Sequence, residues 1–169
     1  MRDEPYSKLF FGAMAIIFMF VFPIMIMGYS RRISAETRAN SLVEEFLENA
    51  RSTAYFTEND YEMLYNDLYS LGVNWDLEIL HYSQRLVLNA EGNFESRDMV
   101  YTTSDILSTF DNSPEPIVTW ELKKGDKLEV RADSKSEFMG LSIFKLFAPS
   151  FKDFIHIQDC TLIDNNYAN

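Results

Sequence analysis

The sequence predicts an α+β fold in which a long N-terminal helix, crossing a membrane with its first half, packs on a small, mainly antiparallel sheet. Three patterns predict this fold. Residues 9–29 form an uncharged apolar run, residues 30–56 continue with helical spacing and contain neither Pro nor Gly, and the apolar residues after residue 74 alternate with polar ones as in strands.

The composition limits the partners that the chain can have. Its 169 residues include 26 acidic and 15 basic ones, which gives a net charge of −11. So large a negative excess argues against a broad electropositive surface, and we expect no nucleic-acid partner. The single cysteine, Cys160, can form no internal disulfide; we interpret it either as a small buried residue or as an intermolecular contact, and we favour burial.

Residues 9–29 read LFFGAMAIIFMFVFPIMIMGY and are long enough to cross a membrane as a helix. The alternative is a cleaved signal peptide, whose apolar core is shorter and ends in a small-x-small cleavage site. Here Met25, Ile26 and Met27 precede Gly28, which is no such site. We therefore interpret the segment as a retained anchor.

Four residues of this segment are predicted to shape the packing of the membrane helix. Gly12, Ala13 and Ala15 are small and allow a second helix to approach closely in lipid. Pro23 removes a backbone donor and clashes with the carbonyl of Met19, which predicts a kink or a local loosening of the helix.

Beyond the membrane the helical pattern continues, and its apolar stripe is predicted to be the core side of the helix against the sheet. The stripe consists of Val43, Phe46, Leu47 and Ala50. The simplest interpretation is one helix from about residue 6 to residue 55. The alternative is two helices with a flexible joint around Gly28 and Ser30.

A short amphipathic helix is predicted over residues 59–71. Thr57 and Asp60 have the spacing of a capping box, and Gly72 can adopt the left-handed conformation that ends a helix. A further one or two capped helical turns are predicted at 104–107, ended by the polar cluster at 111–116.

The remaining segments predict strands and loops. Residues 75–79 and 85–88 predict two strands separated by a polar break, and residues 89–97 predict a loop. The other predicted elements are strands at 117–123 and 128–132 joined by a hairpin at 124–127, and a last strand carrying Ile155, Ile157 and, as a further candidate, Leu162.

Residues 138–151 carry more apolar side chains than one side of a three-turn helix can bury. One interpretation, which we favour, is that this segment enters the core on two sides. The other is that a surplus face, with Ile143 and Phe147, lies on the membrane surface or against a partner subunit.

The chain contains no recognisable catalytic pattern. His81 and His156 lie in alternating runs typical of strands, and no nucleophile, phosphate-loop or zinc-protease motif accompanies them. Asp159 and Asp164 belong to a polar tail that lacks the closing glutamate of a calcium loop. We therefore predict no catalytic, cofactor-binding or metal-ligating residues, no cofactor, no small-molecule substrate, and a protein that is not an enzyme.

The segments SLVEEFLENARSTAYFTENDYEMLYNDLYSLGVNWDLEIL, YTTSDILSTF and LKKGDKLEV resemble parts of TadE-like, pilin-related proteins encoded with Gram-positive tight-adherence (Tad) pilus systems. In that family a helix ending in Arg-Ser/Thr-Thr precedes a short helix, a Gly-Asn turn and a strand, and a later Gly-Asp pair enters another strand. The matching residues here are Arg51, Ser52, Thr53, Gly72, Asn74, Gly125 and Asp126. The resemblance implies a pilin-like fold and a non-enzymatic role in a Tad-like pilus or secretion apparatus.

The sequence departs from pilins that a prepilin peptidase cuts, which carry Gly or Ala before the cut and Glu five residues after it. A cut after Gly12 would place Ile17 at that position. We therefore expect an unprocessed or minor pseudopilin whose partners are the lipid bilayer and other pilin-like or pilus-assembly membrane proteins. The alternative, from a different class, is a bitopic membrane-anchored sensor or protein-binding module.

Charge alone does not fix the orientation, because both flanks of the span carry basic residues. With the resemblance, we expect a cytoplasmic N-terminus at residues 1–8 and a single transmembrane helix at 9–29. Its continuation at 30–56 then supports an extracytoplasmic α+β domain at 57–169 on the outer side of the cell membrane.

Overall fold

One long N-terminal helix packed on small antiparallel sheets makes up the fold, which confirms the predicted α+β class. A computed structural model of the chain describes residues 4–88, 93–113, 117–135, 138 and 154–164.

The helix is continuous through the predicted membrane span and beyond it. It consists of α1 (Glu4–Ile16), a π-helical stretch (Ile17–Val21) and α2 (Phe22–Thr53). Because α2 passes Gly28 and Ser30 without interruption, the single-helix interpretation is confirmed and the alternative with a joint is wrong.

The π-helical stretch is the local loosening predicted at Pro23. The Phe22 N–H donates to the carbonyl of Ile17, five residues back instead of four. Pro23 has no N–H and follows directly after this stretch, so it removes one backbone hydrogen bond from an otherwise continuous helix. The helix accommodates the proline by widening over one turn.

The helix ends at a backbone reversal. Ala54 has a left-handed φ of 60°, and its N–H donates to the carbonyl of Ala50 at 2.9 Å. The chain then enters β1 (Tyr55–Thr57).

The short helix α3 (Glu58–Ser70) begins at the predicted capping box. Thr57 Oγ1 accepts from the Asp60 N–H at 3.2 Å, and the Asp60 carboxylate accepts from the Thr57 N–H at 2.8 Å. Gly72 follows with a φ of +74°, which glycine adopts without steric cost. The helix predicted at 59–71 is confirmed to within one residue at each end.

The remaining strands form two antiparallel sheets. In chain order the next elements are β2 (Trp75–Leu88), β3 (Phe94–Tyr101), α4 (Thr103–Asp111), β4 (Thr119–Glu121), β5 (Lys127–Ser134) and β6 (His156–Leu162). β1 and β4 pair in a two-stranded sheet. The others form a four-stranded sheet in the order β3-β2-β5-β6, with β3 and β6 at its edges.

The predicted break within β2 is wrong, because β2 is a single strand. Residues 75–82 pair with β5 and residues 81–88 pair with β3, so backbone hydrogen bonding continues across the polar residues Ser83 and Gln84. The loop predicted at 89–97 is also wrong from Phe94 onward. The described side chains of residues 95–98 in β3 are all exposed, which is why no apolar alternation marked this edge strand.

The predicted hairpin at 124–127 is wrong as well. The turn exists, since the Asp126 N–H donates to the Lys123 carbonyl at 2.9 Å and Gly125 has a φ of +91°. The strands on its two sides nevertheless belong to different sheets, because β4 pairs with β1 while β5 lies between β2 and β6. The Leu122 N–H donates to the Ala54 carbonyl at 2.8 Å and holds the end of β4 against the end of α2.

The core lies between α2 and the sheets. Val43, Phe46, Leu47 and Ala50 are all buried, and the ring of Phe46 contacts that of Phe56 edge-on at 5.4 Å. Phe110 of α4 adds a third ring, 6.2 Å from Phe56. Other core residues come from α3, from the central strands β2 and β5 and from the edge strand β6: Leu64, Leu68, Ile79, Leu128, Val130 and Ile157.

Two predictions about the last part of the chain have different outcomes. Cys160 is exposed, so its predicted burial is wrong: it lies on the edge strand β6 and has the parity of the exposed Gln158, opposite to the buried Ile157. The helical stripe predicted over residues 138–151 lies outside the described residues except for Phe138, which is buried. Ile143 and Phe147 also lie outside them.

Candidate functional site

The first half of the long helix exposes almost all of its apolar side chains. One helix of the described chain, Tyr6–Thr53, is long and apolar enough to cross a membrane. Phe10, Phe11 and Met19 are each more than half exposed although they are large and apolar. A row of such side chains is not stable in water, so this half of the helix requires a lipid or protein environment.

The small residues predicted to pack against a second membrane helix lie on this exposed half. Gly12, Ala13, Ala15 and Pro23 are all exposed, and no other element within the described part of the chain covers them. They are therefore available to a neighbouring helix, in contrast to the core residues of α2.

A buried polar cluster joins the two sheets at the end of the domain where α2 terminates. His81 of β2 is 3% exposed, and its Nε2 lies 2.8 Å from Asp126 Oδ2. Trp120 Nε1 of β4 donates to His81 Nδ1 at 3.0 Å. The Lys123 N–H donates to the same Asp126 oxygen at 2.8 Å. The His81 ring also stacks on Tyr101 at a centroid distance of 5.5 Å.

These contacts determine the tautomer of His81. Because an indole N–H can only donate, Nδ1 must be unprotonated, and Nε2 then carries the hydrogen that it donates to Asp126. A proton on Nδ1 would face the Trp120 N–H and break that bond. Burial of the ring lowers the pKa of His81, although the hydrogen bond to Asp126 partly opposes the shift. The cluster therefore favours neutral histidine.

The geometry makes this histidine a connector between elements. Both ring nitrogens are engaged inside the protein, so neither is presented to a substrate in this arrangement. The turn that carries Asp126 is itself fixed to the end of β6, since the Gly125 N–H donates to the Ile163 carbonyl at 2.8 Å and the Ile163 N–H to the Asp126 carbonyl at 2.9 Å.

The alternating pattern around His81 correctly predicts a strand residue, but it contains no sign of the partners. Trp120 and Asp126 are 39 and 45 residues away in the chain. The only sequence signal at Asp126 is the Gly-Asp pair of the family resemblance, which does not indicate a histidine partner. His156 is also in a strand as predicted, where its exposed ring forms a hydrogen bond with Asp133.

A second charged cluster covers the open face of the four-stranded sheet. Glu129 is only 2% exposed, and its carboxylate accepts from Lys127 Nζ and Arg131 Nε at 2.8 Å each and from Gln158 Nε2 at 2.9 Å. The hydrogen bond from Lys127, followed by that from Arg131, lowers the pKa of Glu129. The pattern is that of a structural ion-pair network in which every charge is paired.

The residues that carry the family resemblance lie mainly in turns and caps. Arg51, in the last turn of α2, contacts Asp164 at 3.1 Å and lowers its pKa, so Asp164 is part of the domain and not of a free tail. Thr53 Oγ1 donates to the Asn49 carbonyl, and Ser52 Oγ does the same. Gly72, Gly125 and Asp126 lie in the two glycine turns. The carbonyl of Asn74 accepts a hydrogen bond from the Lys135 N–H at 2.7 Å.

The described residues were compared with the side-chain requirements of a metal site, and the chain with known proteins. Within residues 4–88, 93–113, 117–135, 138 and 154–164, no group of three His, Cys, Asp or Glu side chains is arranged to hold a metal ion. Comparisons with protein-family models, with curated proteins and with solved structures give no match for this chain.

Proposed function

We propose that the chain is a non-enzymatic, membrane-anchored minor pseudopilin or assembly component of a Tad-like pilus or secretion apparatus. The observation that supports this proposal most is the single helix that exposes an apolar face at residues 9–29 and continues into the core of a small α+β domain. Such a helix both anchors the domain and fixes its orientation relative to the membrane.

The rigidity of this connection favours an assembly role. Residues 30–53 extend the helix by about 36 Å at about 1.5 Å per residue, and no loop separates anchor from domain. A lateral force on the membrane helix is therefore transmitted directly to the domain. This property suits a component whose work is done by the surfaces it presents to neighbouring subunits.

The partners that we propose are other pilin-like or pilus-assembly membrane proteins. Gly12 and Ala15, three residues apart, share one face of the exposed helix and allow close approach of a second helix. Ile17 in place of the glutamate of peptidase-processed pilins favours a component that keeps its N-terminal segment.

Deletion of the gene, followed by electron microscopy of surface fibres, tests the assembly role. We expect fibres to be lost and to return with the wild-type gene. A Gly12→Leu/Ala15→Leu variant should fail to restore them, whereas Phe10→Leu/Met14→Leu, on the opposite helix face, should succeed. Normal fibres and normal secretion in the deletion strain would contradict the proposal and favour the sensor or protein-binding module.

The orientation is tested separately by adding protease to intact, wall-stripped cells. If the domain is extracytoplasmic, the protease should digest it and leave a short membrane-protected fragment containing residues 9–29. A domain that stays intact until the cells are lysed would place it in the cytoplasm.

A further inference from the structure

A cavity of about 650 Å³ lies where the membrane helix meets the domain. One wall is the stretch of α2 directly after the apolar span, and the other is the turn after α3 together with Phe138. The α2 residues that line it are Gly28, Ser30, Arg31, Ser34, Ala35 and Arg38.

The small side chains of α2 leave this space open. Higher on the same helix, Val43 and Phe46 fill the gap to the sheet with large apolar groups. Near the membrane the α2 positions that line the cavity include the small residues Gly28, Ser34 and Ala35 instead. The cavity thus follows directly from the sequence of α2.

The cavity is positively charged in a strongly acidic protein. Arg31 and Arg38 are seven residues apart, two helical turns, and so they lie on one face of α2, about 10 Å from each other along its axis. None of the described residues that line the cavity is acidic. The neighbouring Arg32, by contrast, forms an ion pair with Glu36 at 3.6 Å.

We propose that this cavity binds the phosphate-bearing headgroup of an anionic phospholipid. The guanidinium groups of Arg31 and Arg38 supply paired donors for a phosphate, and the hydroxyls of Ser30 and Ser34 supply further donors. Val73 and Phe138 add an apolar wall that suits the uncharged glycerol part of such a headgroup.

The depth of the cavity selects a lipid over a soluble phosphate. Counting from the end of the span at Tyr29, Arg31 lies about 3 Å, Ser34 about 7.5 Å and Arg38 about 13.5 Å farther along the helix. Helical side chains tilt toward the helix N-terminus, which here is the membrane side, so the long side chain of Arg38 extends back toward the lipid. The headgroup layer extends roughly 5 to 8 Å beyond the hydrocarbon core, so the lower half of the cavity faces it. The inference rests on the membrane anchorage in the proposed function, but not on the pilus role or on the orientation.

Native mass spectrometry of the full chain in nonionic detergent tests this site. The chain is titrated with dihexanoyl phosphatidylglycerol, which is anionic, and with dihexanoyl phosphatidylcholine, which carries the same phosphate in a zwitterion. We expect one phosphatidylglycerol per chain, bound at least about ten-fold more tightly than phosphatidylcholine. Equal binding of the two lipids, or no binding, would overturn the proposal without the use of any variant.

Matched arginine variants locate the site. At roughly 1 kcal/mol per arginine, Arg31→Gln/Arg38→Gln should weaken phosphatidylglycerol binding about thirty-fold. The control Arg85→Gln/Arg97→Gln removes the same charge from a cross-strand pair of β2 and β3 and should change binding less than about two-fold. Equal losses in both variants would mean a nonspecific charge effect and would overturn the site.

Two further measurements separate the possible failures. Inorganic phosphate added in competition should not displace the lipid at equal concentration; if it does, the cavity is a soluble-phosphate site and the lipid assignment is wrong. Alkaline carbonate extraction of membranes tests the anchorage alone. An extractable chain would remove the basis of both proposals, whereas an anchored chain that does not discriminate between the lipids would refute only the headgroup site.

Discussion

The two ends of the domain use polar side chains in opposite ways. At the end far from the span, His81 is buried and both of its ring nitrogens have partners inside the protein. At the end near the span, Arg31 and Arg38 line an open cavity that has no acidic residue among its described lining. Polar groups that satisfy one another stabilise a fold, while polar groups left facing a cavity are available to a ligand.

The same helix produces both environments. The upper part of α2 carries large apolar residues that close the core beneath the His81 cluster, whereas its lower part carries glycine, serine and alanine. The difference predicts that substitutions at the far end cost stability and that substitutions at the near end cost binding. Four measurements, each made on the full chain in detergent, test this difference between the two ends of the domain.

The largest effect is expected at Phe46, which closes the far part of the core. Phe46→Ala removes a buried ring that contacts Phe56, and we expect the free energy of unfolding to fall by about 3 to 5 kcal/mol. Urea titration followed by tryptophan fluorescence measures it. The control Tyr69→Ala removes an aromatic ring that is 61% exposed and should cost less than about 0.5 kcal/mol. Similar values for the two variants would show that α2 is not packed as described.

The next effect is expected at Asp126. Asp126→Ala leaves the His81 Nε2–H and the Lys123 N–H without an acceptor in a buried site, which should cost about 2 to 4 kcal/mol. The matched control is Asp98→Ala, an exposed carboxylate on the edge strand β3, with an expected change below about 0.5 kcal/mol. If the Asp126 variant were as stable as the control, the cluster would have no part in holding the sheets together.

Acidic pH should lower the free energy of unfolding through His81, at the end of the domain far from the span. The pKa of His81 is lowered in the folded state by burial, so its contribution to stability is fully present above the unfolded value of about 6.5 and is lost as the pH falls through the folded value. Urea midpoints between pH 7.5 and pH 5 should therefore decrease, and His81→Gln should flatten the decrease over this window. An unchanged slope in that variant would assign the acid sensitivity to other groups.

The smallest stability effect is expected at the near end. Arg31→Gln/Arg38→Gln changes exposed side chains for which no ion pair is present among the described residues, so the free energy of unfolding should change by less than about 0.5 kcal/mol. The same urea titration measures this change. A loss as large as that of the Asp126 variant would make the two ends equivalent and would remove the contrast between them.

Local signals in the sequence predicted the helices well. The capping box of Thr57 and Asp60 and the left-handed Gly72 lie within a few residues of the helix that they delimit, and the apolar stripe of α2 needs only one periodicity. Strand pairing was predicted poorly, because it depends on distant segments. β3 has no apolar alternation, and the strands around Gly125 join different sheets although they are neighbours in sequence.

The contacts of the candidate sites also depend on segments that are distant in the sequence. Trp120 and Asp126 meet His81 only through the fold, so no local pattern could join them. The exposure of Cys160 depends on β6 being an edge strand, which its own residues do not reveal. The family resemblance and the pilus role remain predictions.

The position of β6 at the edge of the sheet also determines when the domain can fold. A chain that emerges N-terminus first, from a ribosome or a translocation channel, presents α2 about a hundred residues before Ile157. Until then the central strand β5 lacks one neighbour, and the turn at Asp126 lacks Ile163. The domain therefore completes its fold only after the last strand has arrived, long after α2 has emerged.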